Sequence, residues 1–279
     1  MRPQAFALLV DKEFSDAVRS RWLAAFTGGF VVLGLGLLWL GSWSSSLGGF
    51  LGFGPASAAL LNLVLLLVPL TALIAGSLSV SSERERGTLA FLLSLPLHPR
   101  EVFWAKFAGL NLAFFSALGT AFGVLGGVLA WRGGLGSLSV YARFFAATLL
   151  LCTSCLGVGF LISVLTRRSM QAVGAAVLAW LALVLGGDLG LMGAAIATRM
   201  PPGGLLAAAW LNPLSLYRLF AIDTTASGLD ALGPAGQCAQ DVLGHWLAPA
   251  ALGGIVAWAL IAVLVAYRSY RRRPLGAKA

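Results

Sequence analysis

The sequence predicts an all-α polytopic membrane protein: six transmembrane helices, an amino-terminal amphipathic elbow helix, and a short helix in the connection between spans two and three. Three observations lead there. Of the 279 residues, 59% are hydrophobic and 10% charged, whereas a soluble domain carries about a quarter charged residues. Six runs are as long and apolar as a bilayer-crossing helix requires, roughly 20 residues. The basic residues gather in alternate connections between those runs. One transmembrane domain over residues 1–279 accounts for the whole pattern, and neither a fixed-period repeat nor a second domain is visible.

The elements follow in order. In 1–21, Phe6, Val10, Phe14, Val18 and Trp22 recur every four residues beside Leu9, while Asp11, Lys12, Glu13, Asp16 and Arg19 take other faces. Such a helix lies on the membrane surface with its apolar side inward, as an anchor or as an elbow that also props a soluble partner. The first apolar run begins only at Trp22, behind this charged segment, so it reads as a retained span and not as a cleaved signal. The six spans are expected at 22–41, 57–80, 107–131, 144–166, 171–196 and 246–267, with Asp188 as their one charge. Asp188 falls near the outer end of span five, where an ion costs less than at the midplane. It is expected to bond neighbouring helices or to cap a break at Gly186-Gly187, with binding of a cargo as the alternative.

Charge gives the orientation. Fifteen of the 19 basic residues precede span one, join spans two to three and four to five, or form the tail. The positive-inside rule then places both termini in the cytoplasm. The net charge of +9 is thus topological, and nucleic-acid binding is not needed to explain it. The longest outside element is the loop 197–245. Within it, Asn212 and Pro213 are expected to start a helix as cap and first residue. Leu216, Tyr217, Leu219 and Phe220 would give that helix an apolar, aromatic face, read either as a lid on the bilayer or as a platform for an outside protein.

Small residues add packing expectations. Gly119, Gly123 and Gly127 recur every four residues on one face of span three, spacing that lets helices approach closely within the chain or at a dimer contact. Cys152 and Cys155 sit in an apolar run with no His or acid near in sequence and read as packing residues. No cofactor set, metal set or catalytic residue is expected: His-Glu-x-x-His and Gly-x-Ser-x-Gly are absent from the sequence.

The connection 81–106 carries the most mechanism. Ser82-x-x-Glu85 fits a capping box, Leu89, Leu92 and Leu93 supply an apolar stripe, Pro96 ends the helix, and Pro99 is placed to begin the next. The expectation is a short helix with a charged start, set by Glu83, Arg84, Glu85, Arg86, Gly87 and Thr88, either solvated or docked in a groove of a soluble partner. The run Glu85-Arg86-Gly87-Thr88-Leu89, then Leu93-Ser94-x-Pro96, then Arg100-Glu101 and Lys106, resembles the coupling region of type-2 ABC permeases. Six spans extend the resemblance over nearly the whole chain. That family often has an acid after Gly-Thr-Leu, where this chain has Ala90, so a charge contact there is not carried over.

The resemblance implies a bacterial inner-membrane homodimer of permeases, each docked on a separate ABC ATPase through the loop helix. The sequence agrees with a separate motor: of Lys12, Lys106 and Lys278, none is followed by Ser or Thr, so no phosphate-binding Gly-x-x-x-x-Gly-Lys-Ser/Thr loop is present. Three segments, 12–22, 211–220 and 232–236, are similar to the permeases of nitrous-oxide reductase maturation transporters. This narrower resemblance implies a periplasmic beta-helical partner, a copper chaperone, and a role in assembling a copper–sulfur centre. Two other readings stay open at this level: a type-2 exporter of a drug, lipid or polysaccharide, and an ATP-independent transporter or channel. The second fits poorly, because such proteins carry several polar sites within the membrane.

Overall fold

The computed structural model describes residues 3–44, 54–88, 98–133, 138–198, 202–224 and 244–272. Nine α-helices lie in these segments: α1 Pro3–Val18, α2 Arg21–Ser44, α3 Gly54–Glu85, α4 Pro99–Gly133, α5 Leu138–Leu165, α6 Ser169–Thr198, α7 Pro202–Trp210, α8 Pro213–Thr224 and α9 Leu247–Arg272. Six of them (α2 to α6 and α9) are long and apolar enough to cross a membrane. They fall on the six predicted runs.

Helix ends follow local chemistry. Ser20 separates α1 from α2: its Oγ accepts from the Leu23 amide at 3.4 Å, as an N-cap should. α4 begins at Pro99, whose missing N–H costs nothing in a first turn, and Glu101 reaches back to the His98 amide at 3.3 Å. α8 begins at Pro213 with Asn212 as cap; its Oδ1 accepts from the Leu214 amide at 2.9 Å. α3 runs through Pro69 without interruption and ends at Glu85, and Gly87 follows at φ 75°, a left-handed value that favours glycine.

α5 is the centre of the bundle and packs against α3, α9, α4, α8 and α6. Gly76 and Gly159 let α3 and α5 meet backbone to backbone. Gly157 fits against Val263 of α9, and Gly254 of α9 against Leu216 of α8. The main core joins Phe30, Val64, Leu73, Phe114, Leu118 and Leu156 with side chains of α8 and α9. A second core of Val80, Phe103, Phe160, Val164, Val263, Ala266 and Tyr270 closes one end of the bundle. Outward-facing apolar side chains such as Val32, Leu112, Leu178 and Leu260 suit a lipid environment, where the backbone's polar groups must be satisfied within helices.

Three expectations change. Ser82 and Glu85 do not start a helix: both belong to the last turns of α3, and Ser82 Oγ bonds back to the Leu78 carbonyl at 2.6 Å. Polar residues here extend the long helix because their side chains find partners on neighbouring elements. Gly186-Gly187 is no break, since α6 continues through it to Thr198. The third concerns the long loop. Its helix α8 is folded into the bundle against α9, α5 and α6.

Candidate functional site

The end of the bundle that gathers α1, the close of α3, the start of α4 and the close of α9 holds a network of charges. Lys106, on α4, is buried at 3% exposure. Its Nζ donates to Glu13 Oε1 of α1 at 2.8 Å and to Glu83 Oε1 of α3 at 2.5 Å. Lys12 adds a contact to Glu13 Oε1 at 3.3 Å and to Asp16 at 3.6 Å. Burial works against the Lys12 ammonium, but the surrounding Glu13, Asp16 and Glu83 outweigh it and raise its pKa above the ordinary value. Desolvating an ammonium costs several kcal/mol, so Lys106 holds its place only because two carboxylates converge on it.

Gly109 lets α1 reach this position: a Cβ there would stand 2.7 Å from the Glu13 Cβ and 2.9 Å from the Val10 carbonyl. Next to the charges, Phe103 packs on Tyr267 and Tyr270 of α9 and on Phe160 of α5, with centroids 5.4–5.7 Å apart. Two buried oxygens here make no hydrogen bond, Glu83 Oε2 and the Tyr270 hydroxyl.

The rest of the predicted coupling segment is divided. Arg84 crosses to α5 and donates to the Thr166 carbonyl at 2.8 Å. Glu85, exposed, accepts from the Ser169 amide at 2.9 Å and so caps α6. Arg86, Gly87 and Thr88 are exposed. Leu89, Leu92 and Leu93 lie outside the described residues. Glu83 is therefore not the charged start of a separate loop helix: it is half-buried in the last turn of α3 and tied to Lys106.

The predicted outer face is corrected more sharply. Leu216 and Tyr217 are wholly buried, and Leu219 and Phe220 are 6% and 2% exposed. Tyr217 shares a 2.9 Å hydrogen bond with Thr148 of α5. The apolar face of α8 is occupied by the chain's own helices, so it offers no surface to an outside protein. The glycine stripe also departs from packing within the chain. A Cβ on Gly123 or Gly127 would meet nothing within 4 Å, and one on Gly119 only the Phe145 ring at 4.0 Å. Asp188 lies in α6, one residue beyond Gly187, whose bare backbone faces Asn212 and Ser215.

Sequence reasoning missed Lys106, Glu13, Ser163 and Tyr270 as a set. Ser163 Oγ accepts from the amides of both Val80 and Ser81 at 2.9 Å, pinning α3 to α5 just before Glu83. It also missed a cavity of about 270 Å³ between α3, α6 and α8, where Asn62, Ser215 and Arg218 are the polar lining. Among the described residues no group of three or more His, Cys, Asp or Glu side chains stands together as a metal site. Cys152 and Cys155 are buried free thiols.

Six apolar helices, with a charged end that ties the close of α3 and the start of α4 to the amino-terminal helix α1, define an α-helical membrane protein. Residues 7–275 match the ABC-2 family transporter protein family, and the chain belongs to that family. It is a transmembrane permease subunit, and membership implies an ABC ATPase partner. It is 33% identical over 281 residues to the probable ABC transporter permease protein NosY of Stutzerimonas stutzeri, covering 94% of this chain and 96% of that one. To the protein of the same name from Pseudomonas aeruginosa PAO1 it is 31% identical over 282 residues, covering 95% and 97%.

Proposed function

We propose that this chain is the permease of an ABC transporter in the bacterial inner membrane that serves maturation of the copper–sulfur centre of nitrous-oxide reductase. The observation that carries this reading is end-to-end likeness to two NosY permease proteins, beyond a match to the wider family alone. ATP hydrolysis by a separate subunit moves the connection after Gly87, and the spans carry that motion to the periplasmic side as transport or as conformational work. Two copies form the membrane unit, with both termini cytoplasmic. A periplasmic beta-helical subunit and a copper chaperone complete the assembly. Leu89, Leu92 and Leu93 supply the apolar contact with the ATPase, where truncating a buried anchor costs more than about 2 kcal/mol.

The test is removal of this chain from its host, followed by purification of the reductase. The expected product is reductase polypeptide lacking the optical and paramagnetic signature of its copper–sulfur centre. Leu92→Asp should give the same product while the permease stays in the membrane and its ATPase no longer co-purifies. A fully assembled centre in the deletion strain would overturn the maturation role, and retention of the ATPase by Leu92→Asp would overturn the docking assignment.

A further inference from the structure

The charged end of the bundle holds more than a static ion pair requires. Lys106 binds one oxygen from each of Glu13 and Glu83. The second oxygen of Glu83 is buried and unbonded, and so is the hydroxyl of Tyr270. Tyr270 packs in the same buried cluster as Val80, three residues before Glu83 on α3. A buried acceptor and a buried donor, each without a partner, both carry the desolvation penalty of an unmade hydrogen bond. A rotation of the Glu83 side chain that brought its free oxygen to the Tyr270 hydroxyl would satisfy both groups while loosening its contact with Lys106. Two arrangements of one carboxylate are what a coupling element needs.

The setting fits. Glu83 sits in the last turn of α3, two residues beyond the amides that Ser163 holds and four before the left-handed Gly87. Lys106 binds that turn to α1, and Phe103, three residues before Lys106 on α4, packs on Tyr270 of α9. We infer that Lys106 is a positioning residue for coupling, and that the Glu13–Lys106–Glu83 bridge and Tyr270 form the joint through which movement of the segment after Gly87 reaches α1 and α9. This rests on the ATPase-coupled reading proposed above.

The experiment uses the permease with its ATPase in lipid nanodiscs, with the three native cysteines replaced and spin labels at Asp16 on α1 and Arg167 between α5 and α6, both exposed. The wild-type label distance should change between nucleotide-free and ATP-trapped states. In Lys106→Met the chain should stay folded and the ATPase bound, but the change should be lost. In Tyr270→Phe it should shrink with no loss of thermal stability, because the hydroxyl makes no bond in the resting arrangement. A static bridge predicts that Tyr270→Phe has no effect on the distance change. If Lys106→Met does not fold, Tyr270→Phe decides alone. A wild-type-sized change in every folded variant overturns the joint and leaves the coupling reading standing. An ATPase that never binds the wild-type chain, or a wild-type distance that never responds to nucleotide, overturns the coupling reading and the joint with it.

Discussion

Gly76 and Gly159 cross with their backbones in contact: a methyl group on Gly76 would sit 2.7 Å from the Leu156 carbonyl and 3.0 Å from the Gly159 Cα, and one on Gly159 would sit 2.7 Å from the Leu73 carbonyl. Backbone cannot rotate aside as a side chain can. The central helix pair, α3 and α5, is held at a separation that only glycine permits.

Gly159→Ala should therefore destabilise the chain, by about 1–3 kcal/mol on the scale of overpacked cores, even though alanine is the better helix former. Gly28→Ala is the control, because nothing lies within 4 Å of a Cβ there. Thermal midpoints in detergent should fall for the first and hold or rise for the second. Equal midpoints for Gly159→Ala and wild type would mean that α3 and α5 do not cross here.

The burial of α8 yields a second prediction. Leu216 touches no water, and one of its methyl groups fills the place that a Cβ on Gly254 would take. Leu216→Ala should cost about 2–5 kcal/mol as a core truncation. Tyr217→Phe should cost about 1 kcal/mol, the net value of its hydrogen bond to Thr148. Both losses should appear in the purified chain alone. A midpoint unchanged by Leu216→Ala, with selective loss of an outside partner, would return this face to the surface.

The contrast between spans and sites shows what the sequence reveals. Each span is legible because hydropathy and length are local properties of one run, and Pro99 and Pro213 act on their own first turns. The charged site is not local. Lys106 looks like one more basic residue of the connection between spans two and three, yet its partners lie 93 and 23 residues away. Helical spacing of Leu216, Leu219 and Phe220 announces an apolar face without saying whose side chains cover it. The glycines mislead for the same reason: the periodic set Gly119, Gly123 and Gly127 is open, while the close crossings use Gly76, Gly109 and Gly159, which share no period.

A third prediction concerns the link between α3 and α6. The Glu85 carboxylate accepts from the first amide of α6, that of Ser169, and so satisfies one of the donors that a helix start leaves free. The helix dipole favours an anion at that point. Glu85→Ala should fray the first turn of α6, read as faster amide exchange at Ser169 to Ala172, with the rest of the bundle unaffected. Glu85→Gln, which keeps an acceptor, should retain part of the protection. Identical exchange in all three proteins would show that the cap contributes nothing.

The final prediction is orientation. Helices α1 and α9 bring the two described chain ends to the same end of the bundle, where Lys106, Arg84 and the Tyr270 turn also meet. An even number of spans requires that. Which side of the membrane this end faces follows from charge: Arg84, Arg86, Arg100, Arg167, Arg168, Arg268, Arg271 and Arg272 all belong to its connections, whereas the opposite connections carry Arg132, Arg143, Arg199 and Arg218. Translocating a cluster of cations is opposed during insertion, so the richer side stays in the cytoplasm. Reporter fusions after Ala279 should give a cytoplasmic signal, and a reporter inserted beside Asp230, in the connection between α8 and α9, a periplasmic one. Removing charge from the basic end, as in Arg167→Ala with Arg168→Ala, should weaken the bias without reversing it, because the amino-terminal segment and the tail keep most of the cations. A cytoplasmic signal beside Asp230 would place an odd number of crossings between that site and the tail out of reach, and with it the six-span orientation.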